Sequence, residues 1–327
     1  MKGKFMGLVG DVGGTNARFA LVDESGHIRF PRSFLCSEYE SLAAVIAEYL
    51  ETTAGRQRLA RAAIAVAGPV VNGEIEFTNL DWHVSEVDLV GAFEFEAVSL
   101  INDFAAQALA APRLEAENLR QIGPKLRGAE GCPIVVLGAG TGFGVAALAR
   151  SERGDVAIAT EGGHTGFAPY DDLEAEVWKR LRVKHGRVSI ERVLSGPGLY
   201  DLYEAMSAIA GHNGELADEK AVFEAASAGD VQAAAALDRF CAIFGSVAGD
   251  FALTYGARGG VYVSGGIAPR MTERLAAGGF RARFEDKGRL DDFVREIPTF
   301  LIAHPYPALV GAARELAQIE GTRLSLA

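Results

Sequence analysis

The sequence predicts an α/β fold built from two related lobes. Three observations carry that prediction. A strand, a glycine-rich turn and a second strand open the chain and return in its middle. Short apolar runs alternate with long helical stretches. The length, 327 residues, suits two domains better than one.

The elements follow in order. Phe5 to Val9 is apolar, Gly10-Asp11-Val12-Gly13-Gly14-Thr15-Asn16 reads as a turn, and Ala17 to Val22 is apolar again before Asp23-Glu24-Ser25-Gly26 closes the hairpin. Leu42, Val45, Ile46, Tyr49 and Leu50 recur at helical spacing behind Ser41, a suitable N-cap, so a helix is expected from about Ser41 to Thr52. Ala62 to Ala67 is a short buried-type strand stopped by Gly68-Pro69, and Ala97 to Ile101 is another that meets Asn102-Asp103 and an Ala-rich helix, Phe104 to Ala111. At Cys132 the opening pattern restarts: Pro133 to Leu137 is apolar, Gly138 to Gly144 is a turn, and Val145 to Ala149 is apolar. An offset of 128 residues lays Gly10 on Gly138 and Gly14 on Gly142. Helices are expected over Asp172–His185 and Val231–Leu253, around a strand at 260–263 that ends in Ser264-Gly265-Gly266. The expected boundary lies between Pro112 and Gly131, which gives a small lobe over 1–112 and a large lobe over 113–305, with a segment from about 306 to 327 returning to the small one.

Composition removes several classes. With 49% hydrophobic and 23% charged residues the chain is globular rather than disordered. A net charge of −11 leaves no excess of Lys and Arg to track a nucleic-acid backbone. No uninterrupted apolar run reaches membrane-spanning length, about 18 residues, so no membrane association is expected. Cys36, Cys132 and Cys241 are too widely spaced for a disulfide framework or a CxxC metal site, which points to a reducing, cytoplasmic setting.

Six segments carry chemistry. In Gly10-Asp11-Val12-Gly13-Gly14-Thr15, glycines let backbone N–H groups approach a phosphate and the Thr hydroxyl adds a donor. Asp11 would repel a phosphate unless a divalent cation stands between them, which calls for magnesium with the nucleotide, reached from Asp11 through water. A plain hairpin turn is the bland alternative. The segment is not a Walker loop, because the one lysine that follows a glycine, Lys4, precedes Phe5. Gly138-Ala139-Gly140-Thr141-Gly142-Phe143-Gly144 is a second phosphate-type turn. Gly142 to Ala147 also fits a loose G-x-G-x-x-A dinucleotide fingerprint, but Val145 to Ala149 is too short to be the helix which that motif requires. Leu100-Ile101-Asn102-Asp103-Phe104 sets a carboxylate where a strand ends and a helix begins, a usual place for ligands and equally for an N-cap. Glu161-Gly162-Gly163-His164 and Glu191 to Gly198 offer carboxylates and an imidazole among glycines, suited to a neutral polyol. Glu161 and His164 also form a short E-x-x-H, but the paired glycines argue against the helix on which such a metal motif works. Ser264-Gly265-Gly266 leaves room for a flat ring or makes a simple turn.

Together, GDVGGTNAR at 10–18, LINDF at 100–104, GAGTGFGVA at 138–146, EGGH at 161–164, ERVLSGPGL at 191–199, SGGIAPR at 264–270 and GFRARFEDKGR at 279–289 resemble the bacterial glucokinase family over nearly the whole chain. The resemblance implies a two-lobed actin-like ATPase (ribonuclease H-like) fold with an active-site cleft between lobes that close on the sugar. It implies phosphorylation of the glucose 6-hydroxyl by ATP with magnesium. Asp103 would be the base; Asn102, Asp103, Glu161, His164 and Glu191 would hold the sugar. Gly10, Asp11, Val12, Gly13, Gly14 and Thr15, with Gly138, Gly140, Thr141 and Gly142, would receive the phosphates, and Gly265 and Gly266 would lie by the adenosine. A homodimer is implied as well. Thr78-Asn79-Leu80-Asp81-Trp82 resembles the family's TNxxW without a role that carries over. The Cys-rich zinc signature of the ROK sugar kinases is missing, which disfavours that branch. Another hexose kinase of the same fold is the first alternative; an actin-like ATPase with no sugar acceptor, or an NAD-dependent oxidoreductase, is the alternative from another class, of which the first has no use for Glu161, His164 and Glu191 and the second needs a βαβ unit starting at Pro133.

Overall fold

In the computed structural model, which describes residues 5–53, 58–77, 80–152, 154–212 and 214–321, the chain falls into two units. One comprises Met1–Leu114, Asp155–Ala159 and His304–Ala327, the other Glu115–Gly154 and Thr160–Ala303. Thr78 and Asn79 of the TNxxW-like segment lie outside the described residues.

The first unit starts with a meander of β1 (Phe5–Val12), β2 (Asn16–Asp23) and β3 (Ile28–Leu35), followed by α1 (Leu42–Thr53). Ser41 Oγ accepts from the Ala44 N–H at 3.2 Å, the cap that its position predicts. Then come β4 (Arg61–Val66), a ribbon of β5 (Glu74–Glu76) and β6 (His83–Ser85), α2 (Glu86–Phe93), β7 (Ala97–Asn102) and α3 (Asp103–Ala110). The five-stranded sheet runs β3-β2-β1-β4-β7, with β1, β4 and β7 parallel.

The second sheet uses β8 (Leu119–Ile122), β9 (Ile134–Ala139), β10 (Phe143–Ala149) and β11 (Val156–Thr160). The helices α4 (Asp172–His185), α5 (Gly196–Ile209), α6 (Glu219–Ser227) and α7 (Val231–Tyr255) come next. Asp171, Ser195, Asp218 and Asp230 cap them in turn, each side chain accepting a backbone N–H three residues on. After β12 (Gly260–Ser264) the chain forms α8 (Thr272–Ala276), α9 (Gly279–Glu285), α10 (Asp291–Arg295) and β13 (Thr299–Ile302), and α11 (Pro307–Gly321) belongs to the first unit. The sheet order is β11-β10-β9-β12-β13-β8.

The sequence repeat is a repeat of topology. β1/β2 and β9/β10 are antiparallel hairpins, β4 and β12 lie parallel beside β1 and β9, and β7 and β13 extend each sheet in parallel. Gly10 faces Phe19 on one side and Ile64 on the other; Gly138 sits likewise between Gly144 and Ser264. Alternation along β1 sends Leu8 and Val12 to a core with Phe19, Ile46, Tyr49 and Ile64, and Val9 to the opposite face against Leu309, Ala312 and Leu316 of α11.

Two expectations need correcting. Gly10, Asp11 and Val12 are strand residues rather than turn residues, because antiparallel pairing runs on to Val12 opposite Ala17. Gly138 and Ala139 are likewise strand residues, paired with Gly144 and Phe143. Both turns are therefore shorter than their glycines suggest. Among the described residues, α7 is long and apolar enough to cross a membrane, although no unbroken apolar run of about 18 residues exists within it. Its Phe240, Phe244, Val247 and Phe251 are buried in the core of the second unit.

Candidate active site

The predicted residues gather in two clusters, one in each unit. In the first unit, Val12, Val66 and Asn102 stand in register at the carboxyl ends of three adjacent parallel strands. Ligands collect at such strand ends in α/β sheets. The first turn is Gly13-Gly14-Thr15, with Thr15 exposed at its tip. It is held from behind: the Cys36 N–H donates to Thr15 O at 2.9 Å and the Cys36 thiol to Gly13 O at 3.5 Å. Asp11 lies across the hairpin from Arg18, whose Nη1 donates to Oδ2 at 3.3 Å. Burial pushes the Asp11 carboxyl above the usual carboxylate range, and the charge and hydrogen bond of Arg18 oppose that rise. The pairing of Arg18 with Asp11 is legible only once the turn length sets which residues face each other.

At the end of β7 the helix cap belongs to Asn102. Its Oδ1 accepts from the N–H groups of Phe104 and Ala105 at 3.0 and 3.1 Å, while its Nδ2 donates to Gly68 O and to Asp103 Oδ1, both at 3.2 Å. Asp103 is the first residue of α3, and its Oδ1 also accepts from the Phe104 N–H at 2.9 Å. The capping explanation of this carboxylate therefore falls on its neighbour. Asp103 is half-buried, a carboxylate held at a helix start.

In the second unit, the Gly140 N–H donates to Gly142 O at 2.8 Å and closes the second turn, with Thr141 exposed at its tip. β12 lies beside β9, so the Gly265-Gly266 turn is adjacent. Gly265 has φ +86°, and a Cβ there would run into Ala139 O; Gly266 has open space around it. Only glycine fits the first position. Since β10 is a strand, the dinucleotide fingerprint at Gly142–Ala147 lacks its helix, and the oxidoreductase alternative loses its motif.

Glu161, His164 and Glu191 come together in the same unit. His164 Nε2 is 3.9 Å from Glu161 Oε2, and its Nδ1 is 3.9 Å from Glu191 Oε1. Gly162 to His164 form a single 3₁₀ turn; the paired glycines exclude an α-helix but not this tighter one. They also allow close packing, because a Cβ on Gly162 would stand 2.9 Å from Phe251 and one on Gly163 would strike Phe143 O. Arg187 Nη1 donates to His164 O at 2.8 Å and steadies the turn. Among the described residues no three His, Cys, Asp or Glu side chains converge on a possible metal position. The geometry offers backbone donors at two turns, a half-buried carboxylate at a helix start, and a partly exposed group of two carboxylates and an imidazole.

Comparison with known proteins gives the family. The family model "Glucokinase" matches residues 8–319. A glucokinase of Caulobacter vibrioides is 50% identical over 313 residues, 94% of each chain. The crystal structure of a glucokinase from an Antarctic psychrotroph superposes with a TM-score of 0.87 at 39% identity, covering 95% of this chain and 98% of that one. A ROK family glucokinase from Streptomyces griseus, crystallised with glucose and AMPPNP, shares the fold with a TM-score of 0.64 at 19% identity, over 95% of this chain and 99% of that one.

Proposed function

Because this chain belongs to the glucokinase family and has its actin-like ATPase fold, we propose that it transfers the γ-phosphoryl group of ATP to the 6-hydroxyl of glucose, with Asp103 as the base. The observation that carries the reading is the division of labour at the end of β7. Asn102 caps α3 with two hydrogen bonds, and its Nδ2 and the Phe104 N–H hold the Asp103 carboxylate in place beside it. Asp103 orients the sugar hydroxyl and takes its proton as the bond to phosphorus forms. Glu161 and Glu191 accept sugar hydroxyl protons, His164 donates or accepts one, and Asn102 adds its amide. The turns at Gly13–Thr15 and Gly140–Gly142 meet the phosphates with backbone N–H groups and Thr hydroxyls, and the strand residues Gly10 to Val12 and Gly138 bring them there. Gly265 and Gly266 leave space for the adenosine.

Magnesium enters this reading as part of the nucleotide. A single partly buried carboxylate without a cage suits a cation that arrives on phosphate oxygens and keeps most of its water, and Asp11 would face it through water. Bound there, it would neutralise charge on the triphosphate. We further read the two units as the small and large lobes of a cytoplasmic homodimer that feeds glycolysis. A coupled assay with magnesium-ATP over a panel of hexoses and a no-sugar control tests the function. Turnover with glucose and little without sugar is expected; ATP turnover independent of any sugar would favour an ATPase instead.

A further inference from the structure

Glu191 enters the reading above as a sugar ligand, yet its carboxylate already has another task. Oε2 accepts a hydrogen bond at 2.9 Å from the N–H of Phe143, the residue that follows the Gly140–Gly142 turn. A Cβ on Gly142 would stand 2.5 Å from that same oxygen, so the missing side chain there makes room for the carboxylate. The other oxygen, Oε1, faces His164 at 3.9 Å. The Glu191 backbone is pinned as well. Its N–H donates to Gly163 O at 2.9 Å, and its carbonyl accepts from Ser195 Oγ at 2.8 Å. Ser195 caps α5, and the Gly196 N–H that begins this helix donates to Gly140 O at 2.8 Å. One residue thus touches the carboxylate–imidazole group and, through Phe143 and Ser195-Gly196, both sides of the turn.

We propose that Glu191 is a positioning residue for the nucleotide, holding the Gly140–Gly142 turn ready for phosphate and reporting sugar occupancy to it. This rests on the reading that glucose and the ATP phosphates use these two neighbouring groups. A carboxylate has about four acceptor positions, enough to keep the Phe143 N–H while taking sugar hydroxyls. With 28% of its side chain exposed, the Glu191 carboxylate is reachable by sugar hydroxyls while Oε2 stays on the Phe143 N–H. A bound sugar adds contacts that hold it there more firmly. The nucleotide then meets an ordered turn and binds more tightly, and by linkage it tightens the sugar equally. ATP bound without an acceptor meets the looser turn, which disfavours transfer to water.

The test measures affinity for a non-hydrolysable ATP analogue by calorimetry, with and without glucose, alongside affinity for glucose alone. The proteins are wild type, Glu191→Gln, Glu191→Ala and Gly142→Ala, each checked for wild-type fold by circular dichroism and melting. Glucose should tighten the analogue in wild type by about fivefold or more. Glu191→Gln keeps an acceptor for the Phe143 N–H and should hold sugar-free analogue affinity within about twofold, whereas Glu191→Ala should lose about fivefold or more. Gly142→Ala retains the carboxylate but displaces it, and should abolish the glucose effect. If Glu191→Ala and Gly142→Ala keep wild-type analogue affinity and coupling while Glu191→Ala loses glucose affinity, the positioning role is overturned and the sugar assignment stands. If Glu191→Ala binds glucose like wild type, the sugar assignment falls and the link falls with it.

Discussion

Replacing Asp103 with Asn separates chemistry from structure at one residue. The structural cost follows from what the side chain does at the start of α3. Asn102 supplies the cap through two hydrogen bonds, and an amide at 103 can still accept from the Phe104 N–H through its oxygen. What disappears is one negative charge at a helix N-terminus, worth about 0.3–1 kcal/mol. For a unit of this size that lowers the melting temperature by no more than about 4 °C. Glucose affinity should stay within about tenfold, since one charge-assisted hydrogen bond becomes a neutral one. The rate should respond very differently. Removing a general base costs about two to four orders of magnitude, or about 3–5 kcal/mol of barrier. The assay is a coupled measurement of kcat at saturating glucose and magnesium-ATP, with calorimetric glucose binding and a thermal melt on the same preparation. A kcat within tenfold of wild type, in a protein that melts and binds glucose normally, would refute the assignment of Asp103 as base.

Other outcomes follow from burial and packing. Glu174 is fully buried between Arg239 and Arg283, at 3.0 and 2.9 Å, so Glu174→Gln leaves two guanidinium groups short of their partner and should destabilise the fold by about 3–5 kcal/mol, read by urea denaturation. Burial raises the Asp11 pKa, so its proton binds the folded state better; that stabilisation is full below the usual carboxylate value and lost as pH rises through the raised one. Asp11→Asn should therefore melt higher than wild type at pH 7, with the gain shrinking toward pH 4, while magnesium-ATP affinity falls; equal gains at both pH values would contradict this. Gly311 of α11 touches α3 so closely that a Cβ would enter the Ala106 carbonyl oxygen. Gly311→Ala should cost about 1–3 kcal/mol in a thermal melt and lower kcat by shifting the helix that begins at Asp103.

Much of this was legible in the sequence because local patterns decided it. The hydrophobic spacing of Leu42, Val45, Ile46 and Tyr49 became the buried face of α1, and the doubled hairpin became two sheets with matching strand order. What the sequence hid was set by pairing across strands. Composition marks Gly10 to Val12 as a turn, but interstrand hydrogen bonds prolong β1 through them, and Gly10 is glycine because Phe19 and Ile64 fill the space where its Cβ would sit, at 2.8 and 3.0 Å. The identity of the α3 cap was hidden for a related reason: Asn102 and Asp103 are both good caps, and only the backbone geometry at the end of β7 chooses between them. The resemblance reached Arg281, Arg283 and Lys287 without giving them a purpose. Arg281 donates to the carbonyls of Ile297 and Arg295 at 2.7 Å, Arg283 closes on Glu174, and Lys287 Nζ donates to Ser246 O at 2.9 Å, which makes the segment a brace for the second unit.

That brace bears on how a chain with a net charge of −11 can handle a polyanion. Several of its cations, among the described residues, are committed to internal partners. Arg239 and Arg283 neutralise a buried carboxylate, Lys184 is bound to Asp201 and Glu204 at 2.8 and 3.0 Å, and Arg18 is paired with Asp11. Diverting one of the first two to a phosphate would take one of its two guanidinium partners from the buried Glu174, a loss that a surface ion pair does not return. In the proposed function, phosphate recognition comes from groups that carry no such obligation. Backbone N–H groups at the two glycine turns, the Thr15 and Thr141 hydroxyls and the nucleotide's own magnesium meet that condition. Binding of this kind weakens less with salt than binding by exposed side-chain cations, whose attraction is screened within about 8 Å at physiological ionic strength. Carboxylates can then be spent where they attract rather than repel, on the uncharged hydroxyls of a sugar. On that reading the acidity of the chain and its use of ATP are not in conflict, because the buried cations serve the fold.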